Sequence, residues 1–157
     1  MRVIDALAAY FERRGIKPRD ESVEDWLREN WAYASIGGRR IPIKPLYGYK
    51  KVVVLHDVHH LVAGYDTTWT GEFEVAAWEL GSGGCGPYRL MWMNRCLATF
   101  LGTLFAPLAT WRAFRRGRTQ HNLYRCDVYR VLRQELDEVC ASVGVREPAP
   151  LAAGAPA

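Results

Sequence analysis

The chain has 157 residues, which fits one domain whose core is large enough to fold without disulfide bonds. Hydrophobic residues make up 49% and charged residues 24%, an ordinary globular balance, and the net charge of +4 is too mild to indicate a nucleic-acid partner. The four cysteines are widely spaced and form no CxxC pair, which argues against a cysteine zinc site and against a secreted disulfide framework.

The first predicted elements are two helices. Val3–Arg14 carries apolar residues at helical spacing, and Gly15 can end it. A second helix begins at Ser22, which forms a capping-box pattern with Asp25. The N-terminus mixes charged and apolar residues, so we expect no signal peptide and a reducing, cytoplasmic environment.

The middle of the chain predicts a connection followed by two short helices. The Gly- and Pro-rich stretch Ile36–Tyr49 indicates a loop or a short hairpin. Tyr49–Ala63 is locally ambiguous because its valines favour a strand, but its length and Gly64 at a C-cap position predict a helix. Tyr65–Gly71 then predicts a polar turn, and Glu72–Leu80 the next helix.

The C-terminal part contains the most apolar segment, from Tyr88 to Phe114. Its uncharged core, Cys96–Trp111, is shorter than the roughly 20 residues that a membrane-spanning helix needs, and Pro107 interrupts it. We therefore expect this segment to be buried or to line a lipid pocket. A last helix is predicted over Asn122–Val143, followed by a disordered tail over 147–157.

Three of the four histidines lie within five positions, in the sequence His56-Asp57-Val58-His59-His60. On a helix, His56 and His60 are about 40° apart and one turn apart, so they share a face, with Asp57 at its edge. Two imidazoles at this spacing can bind one metal ion, as in the HExxH helix of zinc proteases. The alternative is a solvated polar face, but burying this polarity among apolar neighbours without a partner would be costly.

Glu72 completes the predicted metal site, because the turn before it folds the next helix back against the first. Two histidines with one or two carboxylates suit zinc and also the two-His-one-carboxylate sites of non-haem iron, and the ligand set does not by itself choose between them. We expect a divalent metal, zinc first, with iron or magnesium as the alternatives. His59 lies on the other flank of the helix, and we expect it to be exposed. The alternatives are that it contacts a ligand residue or is itself a ligand. The sequence thus predicts an all-α bundle of about six helices over residues 1–146, with the metal site between two adjacent helices.

Two known classes of metalloenzyme fit poorly. A protease of the HExxH type needs Glu after the first His, where this chain has Asp57. HD phosphohydrolases need a ligand His upstream of the His-Asp pair, and no His precedes His56. A metal-dependent hydrolase is therefore the weakest of the functions considered.

The pattern His-Asp-x-x-His, eleven residues and Glu, from His56 to Glu72, resembles the family of the fourth coenzyme Q biosynthesis protein, with this chain as a short, divergent, bacterial-like member. The resemblance covers about residues 47–143. It includes Leu61-Val62-Ala63-Gly64 after the second His, Thr70-Gly71 before the Glu, and the later Gly117-Arg118 and Asn122-Leu123-Tyr124.

The resemblance implies an all-helical, often dimeric protein, peripheral to the inner membrane and associated with other quinone-biosynthesis proteins. It implies a divalent metal held by His56, Asp57, His60 and Glu72 beside a prenyl-lipid pocket. The implied activity is oxidative decarboxylation of a prenylated hydroxybenzoate-type quinone precursor, with hydroxylation at C1 of the ring. The alternative is a scaffold that binds prenyl lipid and carries a structural metal.

A basic run follows the apolar segment and could bind lipid head groups or a ligand phosphate. Its four members are Arg112, Arg115, Arg116 and Arg118. A solvated helix end is the equally plain alternative, since cations also suit a helix C-terminus.

Overall fold

The structure is a computed structural model, and it describes residues 1–13, 23–28, 32–36, 39–43 and 48–145. This part of the chain forms a helical domain with one short hairpin, which confirms the predicted helical class. The helices are α1 (Val3–Arg13), α2 (Val23–Arg28), α3 (Tyr49–Ala63), α4 (Trp69–Gly81), α5 (Arg89–Phe105), α6 (Pro107–Gly117), α7 (Val128–Arg133) and α8 (Leu136–Val143). Eight described helices exceed the predicted six, because two predicted segments are each divided in two.

The hairpin consists of two antiparallel strands, β1 (Ala32–Ile36) and β2 (Arg39–Ile43), with Ala32 opposite Ile43. It lies close to where the sequence predicted a loop or short hairpin, but β1 begins four residues before that stretch. The predicted capping residue Ser22 and the predicted tail at 147–157 lie outside the described residues.

Helix α3 has the predicted bounds and lies at the centre of the domain. Gly64 closes it in the left-handed conformation, with φ of 75°, and donates its N–H to the carbonyl of His60. The valines that favoured a strand locally are instead explained by burial, since Val52, Val54 and Val58 are all at most 3% exposed. Helix α1 packs against α3 from one side together with α7 and α8, and α4 contacts it as well.

Helix α4 begins at Trp69, three residues earlier than predicted. Thr68 caps it by accepting the N–H of Gly71 on its side chain, and Asp66 accepts the backbone N–H of Thr68. A Cβ at Gly71 would lie 2.2 Å from the carbonyl oxygen of Asp66, so this turn requires glycine. The tight turn folds α4 back towards α3 and places Glu72 in its first helical turn.

The apolar segment forms two helices, because the chain breaks at Ala106 and Pro107 starts α6 at its first turn. The expectation that this segment is buried is wrong for most of α5, whose buried residues are Arg95 and Gly102. Several apolar side chains of α5 and α6 are more than half exposed: Leu90, Met93, Leu97, Phe100, Leu104, Phe105, Leu108 and Trp111. No described helix combines the length and apolar character needed to cross a bilayer.

The predicted last helix, Asn122–Val143, is not continuous. The chain makes turns up to Asp127, which caps α7, and a break at Gln134 and Glu135 separates α7 from α8. At this break the N-terminus supplies the backbone hydrogen bonds: Val3 donates to Gln134, and Leu136 donates to Met1. This long-range pairing replaces the local bonds of a continuous helix, and helical periodicity alone could not predict it.

Candidate metal centre

Helices α3 and α4 bring together three of the predicted ligands, His56, His60 and Glu72. The two Nε2 atoms are 3.2 Å apart. Glu72 Oε1 lies 3.1 Å from Nε2 of His60, and Glu72 Oε2 lies 3.5 Å from Nε2 of His56. Their ligand atoms all lie within 4.8 Å of one another, so the cluster could hold a metal ion.

The spacing of these atoms fits coordination of a small divalent cation. With bonds of 2.0–2.1 Å to nitrogen, two ligands of a tetrahedral zinc ion are separated by about 3.3 Å. The separations of 3.1, 3.2 and 3.5 Å, which involve both oxygens of Glu72, are close to this value. Three protein ligands leave a further coordination position for another group.

The hydrogen bonds of the two imidazoles direct their Nε2 atoms to the same point. His60 Nδ1 lies 3.1 Å from the backbone carbonyl of Tyr65, an acceptor, so Nδ1 carries a proton and donates it. His56 Nδ1 lies 2.9 Å from Oε1 of the Glu79 carboxylate and donates in the same way. In the neutral rings, both Nε2 atoms therefore present lone pairs towards the Glu72 carboxylate.

Such a convergence of lone pairs requires a positive charge, either a proton or a metal ion. Burial lowers the pKa of His56, but the charge of Glu79 and hydrogen bonding to Glu72 outweigh it and raise the pKa to about 9. Burial alone would raise the pKa of Glu72, yet the two histidines hold it well below its ordinary value. Without another cation, a proton on His56 therefore neutralises the cluster up to about pH 9.

Asp57, the fourth predicted ligand, is half-buried next to His56 on α3, but it does not belong to the group of three. Burial raises the pKa of its carboxyl to about 6, against the lowering effect of His56 and His60. Asp57 as a ligand stays a prediction.

A second carboxylate, Glu79, contacts the Nδ1 atom of the ligand His56, and the sequence did not predict it. It is fully buried, and its Oε1 accepts from His56, from His59 Nδ1 at 2.7 Å and from the Tyr124 hydroxyl at 2.6 Å. Burial would raise the pKa of Glu79, but His56 and His59 hold it well below its ordinary value. The available signal was its position two turns after Glu72 on α4, as an acid in an otherwise apolar run.

His59 is fully buried, so the expectation of an exposed side chain is wrong. Its Nε2 accepts the backbone N–H of Leu123 at 2.9 Å, and its Nδ1 donates to Glu79. Because both ring nitrogens are engaged and burial lowers its pKa, His59 is a neutral residue behind the ligands. It is linked to the predicted ligand His56 through Glu79, which is closest to the first of the two alternatives that the sequence left open.

Arg95 of α5 is a further buried residue that the sequence reasoning missed. Its Nη1 lies 3.3 Å from each ring nitrogen of His56, 3.6 Å from Glu79 Oε2 and 3.8 Å from Glu72 Oε2. Nδ1 of His56 already donates to Glu79, and the positive charge of Arg95 acts to lower the pKa of His56. An arginine within a predicted apolar helix was the signal for it.

The cluster lies beside a cavity of about 570 Å³ that His56 and Arg95 both line. The remaining lining is mainly apolar and aromatic and comes from α3, α5 and the segment before α5: Tyr49, Val52, Val53, Pro87, Tyr88, Arg89, Leu90, Met91 and Asn94.

The basic run does not act as one surface. Arg112, Arg115 and Arg118 are exposed. Arg116 is half-buried, donates to the carbonyl of Ala63 at 2.7 Å and lies over the ring of Tyr65. Arg116 therefore caps the end of α3, and the lipid or phosphate role stays a prediction for the other three.

Comparisons of the chain with known protein families, with characterised proteins and with solved structures find no match.

Proposed function

We propose that the chain binds a divalent metal through His56, His60 and Glu72 and uses it in quinone biosynthesis. The reaction would be the oxidative decarboxylation and hydroxylation of a prenylated hydroxybenzoate-type precursor. The observation that carries the proposal is the convergence of two Nε2 atoms and one carboxylate at the separations of a metal site. The motif resemblance supplies the reaction class.

The cavity supports a substrate with an acidic head and an apolar body. Its lining offers Val52, Val53 and Leu90 for an apolar chain, and it also includes the polar side chains of His56 and Arg95. A guanidinium matches the geometry of a carboxylate, so Arg95 would pair with the ring carboxylate and orient it towards the ligand cluster. Arg95 is only 7% exposed, so little water competes with this pairing.

A divalent metal in this site would supply Lewis-acid polarisation and, if it is redox-active, electron transfer. The overall reaction would replace the ring carboxylate by a hydroxyl, consume dioxygen and an external reductant, and release carbon dioxide and water. Zinc undergoes no redox chemistry, whereas a two-His-one-carboxylate set is typical of non-haem iron oxygenases. An oxidative function therefore favours iron, and a structural role favours zinc.

The test is an assay of the purified chain, loaded with Fe²⁺ or with Zn²⁺, on a prenylated hydroxybenzoate with dioxygen and a reductant. We expect a hydroxylated product and carbon dioxide with iron, and loss of both with His60→Ala. His121→Ala is the matched control, because His121 is an exposed histidine. No product from the iron-loaded chain, or equal product from His60→Ala, would contradict the enzymatic proposal.

A second candidate is a prenyl-lipid-binding scaffold with a structural metal, and the exposed apolar side chains of α5 and α6 favour it. Seven of these side chains, from Met93 on α5 to Trp111 on α6, are between 57% and 75% exposed: Met93, Leu97, Phe100, Leu104, Phe105, Leu108 and Trp111. An exposed apolar surface of this kind marks a site for a lipid surface or a protein partner.

Chelation distinguishes the scaffold from the enzyme. If the metal is structural, the metal-free chain loses its helical fold and its affinity for isoprenoid lipid together. A metal-free chain that keeps both excludes the structural role, and circular dichroism with a lipid-binding assay on the same sample measures this.

A further inference from the structure

We infer that Glu79 is the positioning residue of the metal centre: it fixes His56 with Nδ1 protonated and Nε2 directed at the metal. This inference rests on the proposed metal site. It adds a residue that the motif His56 to Glu72 does not contain, and it assigns a function to the buried polar network behind the ligands.

The geometry gives Glu79 control over the orientation of His56. The two residues come from neighbouring helices, and their contact of 2.9 Å joins the Nδ1 of the ring to Oε1 of the carboxylate. A carboxylate is only an acceptor, so it selects the tautomer that leaves Nε2 free for a metal. The Nδ1 of His60 donates instead to a backbone carbonyl, which is a weaker acceptor than a charged oxygen.

The surroundings of Glu79 show why a carboxylate and not an amide is needed there. Three donors converge on Oε1, from His56, His59 and Tyr124, at 2.9, 2.7 and 2.6 Å. An amide oxygen is uncharged and would accept three donors less well. The amide nitrogen would then occupy the position of Oε2, which lies 3.6 Å from the Arg95 guanidinium, so two donors would face each other.

Further hydrogen bonds of the network hold Glu79 itself in place. His59 donates to Glu79 and is held by the backbone N–H of Leu123. Asn122 donates its side-chain amide to the carbonyls of Glu79 and Gly84, at 3.1 and 2.8 Å. The carboxylate is therefore held by His59 of α3 and by Tyr124 of the segment before α7, which is the arrangement that keeps an imidazole ligand in one orientation.

The experiment compares Glu79→Gln with Tyr124→Phe. Both variants disturb the same three-donor contact at Oε1, but only the first removes the negative charge that faces His56. Dissociation constants for Zn²⁺ and Co²⁺ are measured by chelator competition, the visible spectrum of the Co²⁺-loaded chain reports ligand geometry, and thermal melts report stability.

We expect Glu79→Gln to weaken metal binding about 10- to 100-fold and to alter the Co²⁺ spectrum. Tyr124→Phe should lower the melting temperature while changing metal affinity by less than about tenfold. Equal affinity and an unchanged spectrum in Glu79→Gln would overturn the inference while leaving the metal site intact. If the wild-type chain binds no metal, the proposed site itself fails.

A measurement on the wild-type chain covers the case in which Glu79→Gln does not fold. Nitrogen-15 NMR of the Zn²⁺-loaded chain identifies which nitrogen of His56 carries the proton. We expect a protonated Nδ1 and a metal-bound Nε2. Metal on Nδ1, or a His56 ring without a protonated Nδ1, would overturn the inference.

Discussion

Two regions of this protein depart from the usual distribution of polarity: one has a polar interior and the other has an apolar surface. Between α3 and α4 the interior is polar, with His59 and Glu79 both fully buried. Along α5 and α6 the surface is apolar, with Phe105 75% exposed and Met93 70% exposed. The exposed apolar face points to an apolar partner, and the convergence of two Nε2 atoms with the Glu72 carboxylate points to a cation.

The two regions differ in how much they specify about that partner. Hydrogen bonds are directional, and in the buried cluster they direct Nε2 of His56 and of His60 at Glu72, an arrangement that could hold a metal ion. The hydrophobic effect is not directional, so the exposed face defines only that its partner is apolar. A buried polar cluster is thus the more informative feature for assigning function.

The largest effect is expected from removing a ligand. His60→Ala should weaken metal binding by more than about 100-fold, beyond the loss expected for a residue behind a ligand. Metal content after dialysis and chelator competition measure this. His121→Ala should bind metal like the wild type. A His60→Ala chain that retains its metal would show that this cluster does not bind the metal.

The second effect is a pH dependence of metal binding. The raised pKa of His56, about 9, means that a metal must displace a proton at neutral pH. Because this proton is bound below pH 9, affinity should increase by up to about tenfold per pH unit between pH 6.5 and 8.5. Calorimetry in buffers of different ionisation enthalpy would detect the released proton, and pH-independent affinity would contradict the raised pKa of His56.

The third effect tests the apolar face without touching the metal. The double variant Leu97→Glu and Phe100→Glu should reduce binding to vesicles that contain isoprenoid lipid by at least about tenfold, since both side chains are 59% exposed. Ala141→Glu, an exposed position on α8, is the control for added charge. Metal affinity should stay unchanged in all variants, and unchanged vesicle binding would exclude this face as a lipid contact.

The smallest effect concerns the basic run. Arg116→Ala should lower the free energy of unfolding by about 1 kcal/mol, because it removes the hydrogen bond to the carbonyl of Ala63. Arg112→Ala should leave stability unchanged, since Arg112 is exposed. Chemical denaturation measures both, and equal stability of the two variants would contradict the capping role of Arg116.

The sequence predicted those parts of the protein that depend on local pattern. Periodicity and Gly64 gave the bounds of α3, and the spacing of His56 and His60 placed both on one face. What it missed depends on distant contacts. The roles of Glu79 and Arg95 depend on the packing that brings α4 and α5 to His56, and the break before α8 depends on hydrogen bonds to the N-terminus.

The exposure of α5 was missed for a related reason. The apolar composition of the segment predicted burial. Hydrophobic periodicity identifies the apolar side of a helix, but it does not tell whether the rest of the chain covers that side. The seventeen-residue motif, in contrast, contains both the helix that carries the histidines and the turn that returns Glu72 to them. Its geometry is local enough to be predicted.

X-ray absorption of the chain loaded with zinc or iron tests the central claim most directly, because it measures the atoms bound to the metal. The account predicts one metal per chain with two imidazole nitrogens at about 2.0–2.1 Å and carboxylate oxygen at a similar distance, all lost in His60→Ala. A first shell that contains sulfur, that contains fewer than two imidazoles, or that is unchanged in His60→Ala would contradict it.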